Sequence, residues 1–254
     1  MKKIIYEIEV LSSLIISPRS AQAFYKGIDE FCSHPKIENS NSEKIQEPHV
    51  IYPFYQYGEY EKYDPNHANY YIPGSSIKGA LCLSENMRNR IMTDDIIVPN
   101  DKIVLRNLWK AQYLEDKEEA KMAAFFENVG VEMVKSGTRL EGELYLDDLL
   151  QFFGILNQSG KKVKAKIKQM CRYFQKILGE QYNNTELNSS VKNAQKQLEL
   201  FLKEENIYLL GGYKGLLHSV LLKENEKAEE LKSSIFLDFE SGLPHGFIKV
   251  NNWR

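Results

Sequence analysis

The chain has 254 residues, of which 43% are hydrophobic and 11% aromatic, and its formal net charge at pH 7 is -2. This composition can bury a full core, so it excludes general disorder and favours one large domain or two small ones. The charge excludes sequence-blind binding of long nucleic acid over the whole surface, which needs a basic footprint, so any RNA contact must be local.

The cysteines and the apolar pattern define the expected compartment. Cys32, Cys82 and Cys171 lie far apart without suitably spaced histidines, so no disulfide framework, metal or other cofactor is expected. No stretch approaches the roughly 18 consecutive apolar residues of a membrane span, and no secretory apolar run follows the first lysines. These features predict a soluble cytoplasmic protein that does not associate with membranes.

The first predicted element is a strand with one wet face. Tyr6, Ile8 and Val10 alternate with Glu7 and Glu9, which is the period of two of a half-buried strand.

Turn, helix and loop signals follow this strand. We expect a turn region at 12–20, a short helix at 21–28 and an exposed loop at 33–42. A second strand is predicted at 50–54. Residues 52–71 carry seven tyrosines and one phenylalanine, which predicts an aromatic-rich insertion that serves as an outward-reaching surface.

The middle of the chain shows helix and hairpin signals. Apolar positions three or four apart predict a helix that ends near Ile91, and another helix is predicted at 114–126. The clearest hairpin pairs residues 129–134 with 138–146 across the turn at 135–137.

The C-terminal part returns from helices to strands. Asp147 is a predicted N-cap, three helical segments are expected at 147–204, and strands are expected at 234–239 and 246–250. Strands at both ends of the chain, with helices between them and no regular βαβα rhythm, predict an α+β fold.

A turn before the first long helix has the properties of an anion site. Pro73, Gly74, Ser75 and Ser76 place backbone N–H groups, two hydroxyls and the positive end of a helix at one point, and Lys78 adds a cation. The alternative is an ordinary serine N-cap after a proline turn.

A second glycine-rich segment is Leu210-Gly211-Gly212-Tyr213-Lys214-Gly215-Leu216-Leu217-His218. It lacks the spacing of a nucleotide-binding P-loop. A loop that grips a sugar-phosphate backbone and a plain turn both remain open.

The motif Ile72-Pro73-Gly74-Ser75-Ser76-Ile77-Lys78-Gly79-Ala80-Leu81 resembles the signature of the RAMP superfamily of CRISPR proteins. The order of the later segments is most similar to the guide-end capping subunits of type III-A (Csm) effector complexes. These segments are 92–95, 135–140, 211–215 and 243–250. Residues 16–20, with Arg19, stand where that family has a glycine-bearing turn after its first strand.

The resemblance implies ferredoxin-like, RRM-like cores with a helical insertion. The corresponding regions are an N-terminal RAMP region at 1–150 that includes the insertion 52–71, a helical region at 151–205, and C-terminal strands at 206–254. It also implies a non-catalytic, cytoplasmic subunit that binds CRISPR guide RNA near its 3′ end. Its expected partners are other RAMP subunits, especially the repeating backbone subunit, and host nucleases. The candidate RNA contacts are Gly74, Ser75, Ser76, Lys78, Arg19, Arg139, Gly211, Gly212, Tyr213 and Lys214.

Two other function classes remain open from the sequence. A RAMP-type endoribonuclease that processes guide precursor or cuts target RNA would use a histidine or an early aspartate, and His218 is the first residue to test. His34, His49, His67 and His245 are interpreted as surface or packing residues, as is the carboxylate of Asp29. A protein-only scaffold that uses the aromatic insertion is the third class.

The remaining charged groups are assigned structural roles. Asp94 with Asp95, and Asp147 with Asp148, flank turns or helix starts where aspartate is favoured for capping. Lys161, Lys164, Lys168 and Arg172 would form one stripe on a helix, which is interpreted as a solvated face.

Overall fold

A computed structural model describes residues 1–18, 22–38, 47–82, 91–117, 119–179, 185–212, 217 and 234–254. This part of the chain contains the helices α1 (Gly74–Leu81), α2 (Leu149–Gly179) and α3 (Thr185–Phe201). Its strands are β1 (Lys2–Val10), β2 (Phe24–Tyr25), β3 (Glu30–Phe31), β4 (Val50–Tyr52), β5 (Lys62–Tyr63), β6 (Tyr71–Ile72), β7 (Ile91–Thr93), β8 (Ile96–Ile97), β9 (Ile103–Arg106), β10 (Trp109–Leu114), β11 (Glu119–Ala124), β12 (Val129–Val134), β13 (Arg139–Leu146), β14 (Ile207–Leu209), β15 (Ser234–Leu237) and β16 (Phe247–Asn251).

The central sheet has the order β14-β16-β1-β13-β7, and every neighbouring pair is antiparallel. Along the chain, β1, α1, β7, β13, α2 and β16 follow one another as a βαββαβ unit whose strands lie in the order fourth, first, third, second. This is the ferredoxin-like arrangement. The predicted α+β fold with a ferredoxin-like core is therefore confirmed.

One face of this sheet is covered by helices. Tyr6, Ile8 and Val10 on β1 are each 0% exposed and share a core with Ile77 of α1 and Phe152 of α2. The alternating pattern of the first ten residues therefore predicts both the strand and its buried face.

The other sheets are built from segments inserted into this unit. The order β2-β4-β12-β9 joins strands from before α1 with strands from between β7 and β13. A second sheet, β11-β10-β15, joins that later insertion to the C-terminal part, while β3 pairs with β5 and β6 with β8.

Two predicted helices are wrong because long-range pairing overrides local propensity. Residues 24 and 25 form β2 and pair with β4 in place of a helix at 21–28. Residues 114–126 contain helix-favouring Glu, Ala, Lys and Met, yet they contribute to the hairpin of β10 and β11, and β10 also pairs with β15. A window of sequence does not contain these distant strands.

The predicted hairpin at 129–146 is correct in its strands and wrong in their pairing. β12 pairs with β4 and β9, whereas β13 pairs with β1 and β7. The turn at 135–137 therefore carries the chain from one sheet to another. Alternation sets which face of a strand is buried, but it does not choose the partner strand.

The predicted helix boundaries also need correction. α1 ends at Leu81, and Ile91 belongs to β7. Within the described part of 147–204 there are two helices, α2 and α3, in place of the three predicted segments. Asp148, not Asp147, caps α2, since its Oδ1 accepts the N–H of Gln151 at 3.0 Å.

Candidate functional site

A cleft of about 520 Å³ lies beside α1 on the helix side of the central sheet. Ser76 and Gly79 of α1 line it, together with Gly211 and Gly212, which follow β14. Parts of both candidate segments identified in the sequence, about 135 residues apart in the chain, therefore meet at one surface. The lining also includes the turn after β1, Tyr55, and residues 163 and 166 of α2.

The four glycines of these segments that lie within the described residues fall into two pairs with different roles. A Cβ on Gly74 would lie 2.1 Å from the carbonyl oxygen of Thr93, and one on Gly211 would lie 2.2 Å from that of Ile15. Gly211 also has a φ of +91°, so the fold itself requires both residues to be glycine. In contrast, a Cβ on Gly79 or Gly212 would meet no atom of the described residues within 4 Å. Internal packing therefore gives no reason for glycine at the two positions that leave bare backbone on the cleft.

Several backbone amides of the predicted anion site already have partners. The N–H of Gly74 donates to Asp95 Oδ1 at 2.7 Å, and the N–H of Ser76 donates to the Pro73 carbonyl at 2.8 Å. In the second segment, the N–H of Gly212 donates to the Ile15 carbonyl at 2.7 Å. These three amides are therefore already paired within the fold, and the cleft presents glycine backbone together with Ser76.

Among the described residues that line the cleft, the charged side chain is on α2. Lys166 lines the cleft, and its pKa is lowered because burial removes water from the ammonium and because Lys162 repels it. An anion bound in the cleft would oppose both effects. On the same helix Lys161, Lys168 and Arg172 are exposed and Lys164 is half-buried, as expected for a solvated stripe.

The turn after β1 supplies an enclosed polar group. Ser17 and Pro18 line the cleft, and the hydroxyl oxygen of Ser17 is buried without a hydrogen-bond partner among the described residues. Buried polar groups are normally paired, so this hydroxyl indicates a place where a partner could be supplied.

A row of three tyrosine rings leads away from the cleft. Tyr55 lines the cleft and meets Tyr71 edge-on, with ring centroids 5.8 Å apart. Tyr71 in turn stacks on Tyr57, with centroids 4.0 Å apart and planes 8° apart. The hydroxyl of Tyr57 donates to Asp95 Oδ2 at 2.8 Å, which raises the pKa of Tyr57 to about 12. Asp95 thus connects the end of this row to the N-terminus of α1.

The other predicted contacts do not line this cleft or lie outside the described residues. Lys78 is half-buried on α1 and is not part of the lining. Arg139 lies on the open face of the sheet, 3.4 Å from Glu9. Arg19, Tyr213, Lys214 and His218 lie outside the described residues.

The open face of the central sheet differs from an RRM platform, where exposed aromatic rings stack on bases. Ion pairs cross this face, joining Lys3 to Glu143 at 2.6 Å and Lys249 to Glu204 at 2.6 Å. The pairs of Arg139 with Glu9 and Arg254 with Glu141 extend the series. The RRM-like expectation therefore holds for the topology but not for this face.

The aromatic insertion is only partly a surface. Glu132 of β12 is 1% exposed, and its Oε1 accepts hydrogen bonds from Tyr63 at 3.0 Å and Tyr70 at 2.7 Å. Its Oε2 accepts the N–H of Phe54 at 2.9 Å. Three of the eight aromatic residues of the predicted outward-reaching tract are therefore held around a buried carboxyl group.

His245 is a packing residue. It is 1% exposed, its Nδ1–H donates to the Ser13 carbonyl at 3.1 Å, and burial lowers its pKa. Asp238 lies beside it and accepts the hydroxyl of Ser13 at 2.7 Å. No described cleft-lining residue belongs to this cluster.

The sequence missed Lys166, Tyr55 and Asp95 as parts of the site. Lys166 sits in a lysine-rich run and Tyr55 in a tyrosine-rich tract, so neither stands out from its neighbours. Asp95 was interpreted as a local capping residue, but it lies between β7 and β8, and only the fold shows that it accepts the N–H of Gly74 at the start of α1, about 20 residues away.

Comparison with known proteins gives matches only among solved structures, since no protein family and no curated protein matches the chain. The chain is similar to one in a Csm-crRNA-target RNA ternary complex of a type III-A CRISPR-Cas system. The identity is 10%, the TM-score is 0.47, and the match covers 98% of this chain and 100% of the other. It is also similar to a chain of a type IV-B CRISPR complex, at 12% identity and a TM-score of 0.27, over 63% of this chain and 82% of the other. Among the described helices, none is long and apolar enough to cross a membrane.

Proposed function

We propose that this protein is a non-catalytic subunit of a type III CRISPR effector complex that binds guide RNA and holds its sugar-phosphate backbone in the cleft. The observation that carries the proposal is the meeting of Ser76 and Gly79 with Gly211 and Gly212 at that cleft. In line with the motif resemblance, the protein would act in the cytoplasm, cap the complex near the guide 3′ end and contact the repeating backbone subunit.

The bare backbone of the cleft suits a ribose-phosphate chain. Gly79 and Gly212 leave space that a side chain would fill, so another backbone can approach closely. Contacts of this kind hold a strand without reading its bases, as a guide of variable sequence requires.

The electrostatics are local, as the net charge of -2 demands. Lys166 supplies a cation at the cleft, and each phosphate that such a group neutralises releases counterions from the RNA. The affinity should therefore fall with salt, with a modest slope.

The experiment fills the cleft without disturbing the fold. Gly79→Gln and Gly212→Gln place a neutral side chain where a Cβ meets no atom within 4 Å. We expect affinity for single-stranded guide RNA, measured by fluorescence anisotropy, to fall at least about tenfold, since lost contacts of about 1.4 kcal/mol suffice. The melting temperature of Gly79→Gln should not fall, because glutamine is a better helix former than the glycine of α1.

Gly154→Gln is the matched control. Gly154 is an exposed glycine of α2 that does not line the cleft, and an added Cβ there also meets no atom within 4 Å. Its RNA affinity should equal that of the wild type. Unchanged affinity in both cleft variants would overturn the assignment of the cleft.

A separate assay addresses the absence of catalysis. The purified chain is incubated with repeat-containing RNA in EDTA, and the proposal expects intact RNA. Metal-independent cutting that disappears in His218→Ala would establish the endoribonuclease alternative.

A further inference from the structure

The row of tyrosines ends in a ring that is held in place and partly open. Tyr57 is 47% exposed, although one face of its ring stacks on Tyr71 and its hydroxyl is bound to Asp95. A ring whose position is fixed in this way loses little conformational freedom when a second planar group binds to it. Its exposed surface is therefore suited to stacking.

Two other tyrosine rings connect the ring of Tyr57 to the cleft. Tyr55 lines the cleft and contacts Tyr71, which stacks on Tyr57, so the rings form a continuous path from the cleft to the surface. Asp95 binds both Tyr57 and the first residue of α1, the helix that forms one wall of the cleft. Asp95 therefore holds the ring of Tyr57 at a fixed position relative to this wall of the cleft.

The local charge favours a base over a phosphate at this ring. The exposed carboxylate of Asp95 is bound to the hydroxyl of this ring and would repel a phosphate, whereas a neutral base can stack there. The cationic Lys166 is found at the cleft, which is where the phosphates would lie.

We propose that Tyr57 is a stacking platform for one unpaired nucleobase of the RNA strand whose backbone occupies the cleft. This inference rests on the proposed function and adds a base contact to it. Every base presents a flat face, so stacking here holds the strand without selecting its sequence.

The test couples a protein change to an RNA change. Tyr57→Ala and wild type are titrated with single-stranded RNAs that differ only in the position of one abasic nucleotide. Tyr57→Ala should weaken binding of intact RNA about five- to 150-fold, the range of one base-aromatic stack. The loss should vanish for RNA that is abasic at one particular position, and the salt slope should not change.

Two further variants separate stacking from folding. Tyr57→Phe keeps the ring and should stay much closer to wild type than Tyr57→Ala. Tyr25→Ala removes a ring that is 42% exposed on β2 and should bind as wild type does.

The outcomes distinguish the two proposals. If wild type does not bind RNA, the proposed function fails. If wild type binds and Tyr57→Ala binds equally well, only the platform fails. A loss that no abasic position relieves would also overturn the platform, because the ring would then contact no base.

Discussion

One tyrosine-rich tract supplies two regions with opposite properties. Tyr63 and Tyr70 are 4% and 1% exposed and donate to the buried carboxylate of Glu132. Tyr57 and Tyr71, from the same tract, form a row that leads from the cleft to the surface. A tyrosine whose hydroxyl donates to a buried acceptor stabilises the fold, whereas one whose ring is open can bind a ligand. The difference teaches that residue type alone does not assign the role.

Among the variants that test this comparison, Glu132→Ala should change the free energy of unfolding most. The change leaves two hydroxyls and the Phe54 N–H without their acceptor in a buried place. We expect the free energy of unfolding in urea to fall by about 3–5 kcal/mol, as when one partner of a buried polar network is removed. Glu127→Ala, at an exposed position just before β12, is the control and should change it by less than about 0.5 kcal/mol. Equal effects in the two variants would contradict the central role of Glu132.

A smaller effect separates the two groups of tyrosines directly. Tyr70→Phe removes one hydrogen bond to a buried carboxyl group and should cost about 1.5–3 kcal/mol in unfolding free energy. Tyr71→Phe should cost less than about 0.5 kcal/mol, because Tyr71 is half-buried and contributes its ring to the row. Similar losses of unfolding free energy in the two variants would contradict the division of the tract into tyrosines that stabilise the fold and tyrosines that form the row.

The buried group of residues also predicts a pH dependence of stability, which comes from the carboxyl group of Glu132. Burial raises the pKa of Glu132 above its ordinary 4.5, against the opposing hydrogen bonds from Phe54, Tyr70 and Tyr63. The folded chain then binds this proton more tightly than the unfolded chain does. The resulting stability is fully present below about pH 4.5 and is lost as the pH rises through the folded pKa.

Glu132→Gln tests this dependence because glutamine imitates the protonated carboxyl group. The difference in unfolding free energy between wild type and Glu132→Gln is measured from pH 4 to pH 8. Wild type should lose stability relative to the variant as the pH rises, by about 1.4 kcal/mol for each unit of pKa shift. A difference that does not vary with pH would show that the two states bind this proton equally.

Much of the strand content and part of the site could be predicted from the sequence. The faces of β1, the positions of β4, β12, β13, β15 and β16, and the α+β class follow from alternation and from the order of elements. Ser76, Gly211 and Gly212 were predicted as site residues, and they line one cleft. The pairing of β12 and the strand at 119–124 were missed, because both depend on partners far away in the chain.

The sequence by itself determined which residues alternate, which turns contain glycine or proline, and which motif resembles the RAMP signature. Only the tertiary structure decided that Gly79 and Gly212 leave open backbone while Gly74 and Gly211 are required by packing. The tertiary structure also decided that Asp95 accepts a hydrogen bond from the N–H of Gly74 and that Lys166 places a positive charge at the cleft. The physical reason is that steric space and charge at a site arise from segments that meet in three dimensions, and local patterns record neither.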